Sequence, residues 1–176
     1  MKTVRWLLAG AGDIVRSRVA AALSFVENSE IAAIFAPSAG KAEAIAAEYH
    51  IPKVYHDFGQ ALAECDADCV YIATPHHTHV ELAKRALAAG RHFLCEKPLG
   101  INSSECLELL ACAKKYPHLK TACSNYRLMT HQFAATKRLI DCGEIGDLVC
   151  GWNVRFTEMA KSEQDMYIRR AESISE

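Results

Sequence analysis

Val4-Arg5-Trp6-Leu7-Leu8-Ala9-Gly10-Ala11-Gly12-Asp13-Ile14 is the stretch whose reading decides the fold. Val4 to Ala9 reads as an apolar run, the signature of a strand buried on both faces of a parallel sheet. After Gly12, the residues Val15, Val19, Ala22, Leu23 and Val26 recur at helical spacing, so a helix is expected over residues 13–26. The glycines therefore fall at a strand-to-helix junction. There the first glycine permits a tight turn and the second lets the backbone approach a pyrophosphate. The helix N-terminus offers that anion free N–H groups and the positive end of its dipole. Position for position, Gly10, Ala11, Gly12, Asp13 and Ile14 are the expected phosphate cradle. Val15 stands where this fingerprint usually has Gly or Ala, and is expected to push the helix outward.

The same alternation continues downstream. Strands are expected at Ile31–Phe35, Lys53–His56, Cys69–Ala73, His92–Cys95 and residues 119–124. Helices are expected over residues 39–49, 58–65, 79–89, 103–115 and 131–142. Asn102 with Glu105 forms a capping box, and Gly90 closes the helix before it. Repeated βα units dictate an α/β fold, a doubly wound parallel sheet of Rossmann type with right-handed crossovers. From Asp147 to Thr157 the period becomes two, with Leu148, Cys150, Trp152, Val154 and Phe156 on one face. That pattern predicts the first strand of a truncated α+β second domain. The expected domains are residues 1–124 and 125–176, with a loosely helical or disordered tail from Lys161.

Bulk properties exclude several classes. Net charge is −1 over 176 residues with no basic stripe, so nucleic acid is not an expected partner. No apolar segment is long enough to span a bilayer, and the N-terminal run breaks at Gly10 and Gly12, unlike a signal peptide. The eight cysteines include no C-x-x-C pair. Cys69, Cys95, Cys123 and Cys150 fall in or beside expected strands and read as small apolar residues. Reduced thiols of this kind place the chain in the cytoplasm. His76, His77 and His79 lie close together, but on a loop with no carboxylate or thiolate nearby, so no metal site is expected.

Where the second strand ends, the sequence reads Phe35-Ala36-Pro37-Ser38 and offers no carboxylate to the ribose hydroxyls. Ala36 and Ser38 are expected to line that edge, and Ser38 or Lys41 to contact a 2′-phosphate. No arginine favours one, so NAD and NADP both remain open.

Four stretches together resemble the Gfo/Idh/MocA oxidoreductases. They are Gly10-Ala11-Gly12-Asp13-Ile14; Ala73-Thr74-Pro75-His76-His77-Thr78-His79; Ala89-Gly90-Arg91-His92-Phe93-Leu94-Cys95-Glu96-Lys97-Pro98-Leu99; and Asn125-Tyr126-Arg127 with Gly143-Glu144-Ile145-Gly146-Asp147. The resemblance covers residues 1 to about 157. It implies an NAD(P)-dependent enzyme acting on a sugar, polyol or related hydroxyl or carbonyl compound. Ala73, Thr74, Pro75 and His79 would then line the cofactor cleft. Glu96-Lys97-Pro98 would border the nicotinamide, with Lys97 reaching the substrate hydroxyl as the catalytic group. His76 replaces the family's usual Asn, and Arg127 matches a position near the domain junction. The family's Asp-x-x-x-His element is absent, since no histidine follows His131. The chain alone is therefore expected to be inactive, the nucleotide half of a larger enzyme or a protein working with another chain. The alternative is a non-catalytic dinucleotide-binding or partner-binding protein of that descent. An unpaired strand at 147–157 also makes a homo-oligomer the expected state.

Overall fold

The computed structural model describes residues 2–152 and residue 154. It divides into two compact units, Met1–Met129 and Thr130–Glu176.

The first unit is a six-stranded, all-parallel sheet. Its strands are β1 (Val4–Ala9), β2 (Ser29–Phe35), β3 (Val54–Tyr55), β4 (Cys69–Ile72), β5 (His92–Cys95) and β6 (Thr121–Cys123). They lie in the order β3-β2-β1-β4-β5-β6. The order reverses between β1 and β4, which opens a crevice beyond their carboxyl ends. One face packs under α3 (Phe58–Glu64), α4 (His79–Ala88) and α5 (Ser103–Ala113), the other under α1 (Val15–Ala20 continued by Ala21–Ser24) and α2 (Lys41–Glu48). Leu7, Ala9, Val70 and Cys95 point into the first core; Leu8, Ile34 and Tyr71 into the second. Burial on both faces is why β1 and β4 read as apolar runs without alternation.

The first helix departs from its expected form. It is wound as a π-helix over Val15–Ala20 and as an α-helix over Ala21–Ser24. A π turn takes in an extra residue, so a stripe drawn at 3.6 residues per turn drifts out of phase. Val15, Val19 and Ala20 are buried, whereas Val26 is 46% exposed. Val15 is accommodated in the core beside Leu8 and Ile34, and the π winding begins at this residue.

The four cysteines expected in or beside strands are not all apolar fillers. Cys69 and Cys95 are buried, and burial pushes both thiols up to about 12, so they remain protonated apolar fillers. Cys123 and Cys150 are exposed. Cys123 lies on β6, an outer strand paired on one side by β5, and so lacks the cover that central strands receive.

The second unit holds α6 (His131–Asp141), whose N-terminus is capped by Thr130 Oγ1 accepting the Phe133 N–H at 3.4 Å. Gly143 takes φ 72° just past its end, as a helix stop requires. The strand expected at 147–157 is not formed among the described residues. Val149, Trp152 and Val154 are 94%, 90% and 73% exposed, without a ladder partner. Alternation alone does not make a strand where no neighbour takes the backbone hydrogen bonds. Residue 153, residues 155–157 and the tail lie outside the described residues.

Candidate dinucleotide site

Gly10 and Gly12 do different work at the β1–α1 junction. Gly10 has φ 118°, and its N–H donates to the Phe35 carbonyl at 2.8 Å. A Cβ on Gly10 would lie 2.8 Å from the Ala73 carbonyl carbon and 3.2 Å from the Thr74 nitrogen. Those contacts are forbidding, so this glycine lets β1 run against the end of β4. A Cβ on Gly12 would meet nothing within 4 Å. The backbone there is open, as a cradle for an approaching diphosphate must be. The Gly12 carbonyl starts the helix by accepting N–H bonds from Val15 at 3.0 Å and Arg16 at 3.2 Å. Ala11 is half-buried, and Asp13 and Ile14 are exposed at the rim.

Beyond β2, Ala36 is buried and Ser38 and Lys41 are exposed. The Ala36 carbonyl faces His56 Nδ1 at 2.8 Å, and His56 Nε2 lies 3.0 Å from Glu43 Oε1. Glu43 Oε2 also accepts the Gly40 N–H. Its carboxyl is held below the usual carboxylate range by backbone N–H donors at Glu43 and Gly40 and by the His56 charge. A carboxylate therefore does stand near this edge, supplied by the first turn of α2 and already engaged. The expected position at the end of β2 gave no sign of it, because His56 arrives from β3.

Beyond β4, Ala73 donates its N–H to the Ala9 carbonyl at 2.8 Å. Thr74 Oγ1 and Thr78 Oγ1 are 2.6 Å apart, and Thr78 Oγ1 donates to the Pro75 carbonyl at 2.8 Å. Pro75 and His76 are exposed, with the His76 ring set edge-on to His79 at 5.5 Å. His79 itself does not line the cleft. It is fully buried, with Nε2 at 2.9 Å from the Thr74 carbonyl and Nδ1 at 2.8 Å from the Pro98 carbonyl. Its ring braces the loop after β4 against the loop after β5, a role its loop-edge position in the sequence did not reveal.

Beyond β5, Lys97 is exposed and Glu96 is buried. Glu96 donates its N–H to the Ile72 carbonyl at 2.8 Å, which continues the β4–β5 ladder up to the crevice. Its Oε1 accepts the Tyr71 hydroxyl at 2.7 Å. Among the described residues no group of three or more His, Cys, Asp or Glu is arranged to hold a metal ion. No described helix is long and apolar enough to cross a membrane.

Residues 4–121 match a family model described as "Oxidoreductase family, NAD-binding Rossmann fold". The chain is 33% identical over 172 residues to dTDP-3,4-didehydro-2,6-dideoxy-alpha-D-glucose 3-reductase of Streptomyces violaceoruber, covering 96% of this chain and 49% of that one. It is 30% identical over 148 residues to inositol 2-dehydrogenase 1 of Saccharopolyspora erythraea, covering 84% and 44% respectively. Among solved structures it resembles scyllo-inositol dehydrogenase of Lactobacillus casei with bound NAD(H) and scyllo-inositol. That likeness has a TM-score of 0.79 at 24% identity over 83% of this chain and 43% of that one, and shows the fold. A 3-ketoreductase of Actinomadura kijaniata in complex with TDP-benzene and NADP matches with a TM-score of 0.75 at 28% identity, over 83% and 46%. The chain spans about half or less of the length of the curated relatives it matches.

Proposed function

Since the chain belongs to the Gfo/Idh/MocA oxidoreductase family, we propose that it binds NAD or NADP in the crevice between β1 and β4. It would form the nucleotide-binding half of an enzyme acting on a sugar, polyol or related hydroxyl or carbonyl compound. The observation that carries this reading is the contrast between the two glycines. One is closed by the Ala73–Thr74 backbone just past β4 and the other is open at a helix N-terminus, the pairing that suits a diphosphate. Gly10, Ala11, Gly12, Asp13 and Ile14 would hold the diphosphate, Ala36 and Ser38 the adenosine ribose. Ala73, Thr74, Pro75, His76 and Glu96 would border the nicotinamide end, with His79 bracing it from behind. A bound nicotinamide supplies the hydride acceptor or donor. The chain's own contribution is orientation and proton handling at Lys97 Nζ, which would hydrogen-bond the substrate oxygen and take or return its proton.

Residues 125–176 would begin the α+β second domain, in a cytoplasmic enzyme. All eight thiols are free, as a reducing compartment keeps them. The chain carries no Asp-x-x-x-His element, so the chain by itself should turn over little substrate. Lys97→Ala should leave NAD(P)H affinity within about threefold, while lowering any turnover by ~10²–10⁴-fold, the usual contribution of a positioned acid–base group. A binding titration beside an NAD(P)H assay with a sugar and polyol panel checks both. Robust turnover untouched by Lys97→Ala would remove the assigned role.

A homo-oligomer is the state we infer in solution. Val149, Trp152 and Val154 expose apolar surface on one short segment, and such a patch favours association. Light scattering at rising concentration should report a mass above 19.4 kDa. A strictly monomeric mass throughout would count against it.

A further inference from the structure

Tyr71 and Glu96, both buried, and the half-buried Ser124 form a polar group that the proton handling at Lys97 does not use. Glu96 is 8% exposed, at the carboxyl end of β5, one strand from the crevice. Its carboxylate accepts the Tyr71 hydroxyl at 2.7 Å and the Lys97 N–H at 3.3 Å, two donors that carry no charge. Burial pushes the Tyr71 phenol up from its ordinary value; a hydrogen bond with Ser124 opposes this, and the Glu96 charge adds to it. Tyr71 is itself fixed in the core, its ring 6.4 Å from that of Trp6. The phenol therefore stays a donor, and the carboxylate stays where it is held.

On the reading that the nicotinamide lies at this end of the crevice, we propose that Glu96 is an anionic site for the oxidised nicotinamide ring and that Tyr71 is the residue positioning it. The oxidised ring carries a positive charge and the reduced ring carries none. A carboxylate withdrawn from water attracts the charged form with little screening and leaves the neutral form unaffected. The chain should thus favour NAD(P)+ over NAD(P)H more than a neutral site would.

The test is a set of titrations of the 176-residue chain and its variants with NAD+, NADH, NADP+ and NADPH, each variant first checked for a cooperative melt. Glu96→Gln keeps the shape and removes the charge. It should weaken binding of the oxidised form by at least about tenfold, with the reduced form within twofold. Tyr71→Phe keeps the ring and removes the donor; it should shift the oxidised-to-reduced ratio in the same direction by a smaller factor. If Glu96→Gln does not fold, Tyr71→Phe decides alone. Equal loss for both redox forms, or no loss, overturns the proposal while leaving the site reading intact. A wild-type chain that binds none of the four overturns both.

Discussion

A Gly12→Val chain is expected to fold as the parent does and to lose its thermal stabilisation by NADH or NADPH. No atom lies within 4 Å of the added Cβ, so the substitution meets no resistance from the protein. The side chain would instead occupy the space the diphosphate needs at the start of α1. At ligand concentrations about a hundredfold above Kd, binding stabilises a protein by about 2.7 kcal/mol. For a domain of this size that is a rise of roughly 5–11 °C in melting temperature. The parent should show this rise and Gly12→Val should not. Gly10→Ala is the opposite case. Its methyl would press on the Ala73 carbonyl and force a residue with a side chain to φ 118°, so the unliganded melt itself should fall. Undiminished stabilisation of Gly12→Val would remove the phosphate site from this junction.

His79→Ala should destabilise the first unit by about 3–5 kcal/mol. It leaves a cavity where a buried ring stood and removes the partner from the carbonyls of Thr74 and Pro98. Against a typical total of about 5–15 kcal/mol, such a loss is large. His79→Phe refills most of the volume but brings no N–H to either carbonyl, so chemical denaturation of the two variants separates packing from bonding. If the brace matters, His79→Phe should remain well below the parent. A Phe variant as stable as the parent would reduce His79 to a space-filling residue. Loss of the brace should also weaken cofactor binding, because on the proposed reading the loops after β4 and β5 would wall the crevice together.

How much of this was legible beforehand differs from element to element. β1, β5 and the glycine turn were legible because strand burial and turn geometry act on adjacent residues. The expected ends of His92–Cys95 coincide with β5, and half of the expected capping box is formed: the Asn102 side chain accepts the Glu105 N–H at 2.9 Å, while the Glu105 carboxylate takes the Ile101 N–H at 3.0 Å. The first helix was legible as a helix but not as a π-helix. The π winding begins at Val15, inside the core that holds Leu8 and Ile34, and helical spacing carries no trace of it. Over the described residues 147–152 and 154, the expected strand shows the reverse failure. Its alternation is a local signal, but a strand exists through its neighbours.

The sequence by itself determined the βα alternation, the place of Gly10 and Gly12, and the family motifs that mark the chain as a nucleotide-binding oxidoreductase domain. Tertiary structure alone decided which polar groups meet at the strand ends. Glu43 joins His56, Tyr71 joins Glu96, and His79 spans Thr74 and Pro98. Each pairing brings together groups from different loops, strands or helix turns, up to 25 residues apart in the case of Tyr71 and Glu96. Parallel strands with right-handed crossovers bring those loops to one edge of the sheet. Periodicity reports which face a residue turns to, but which partner waits there is set by the strand order.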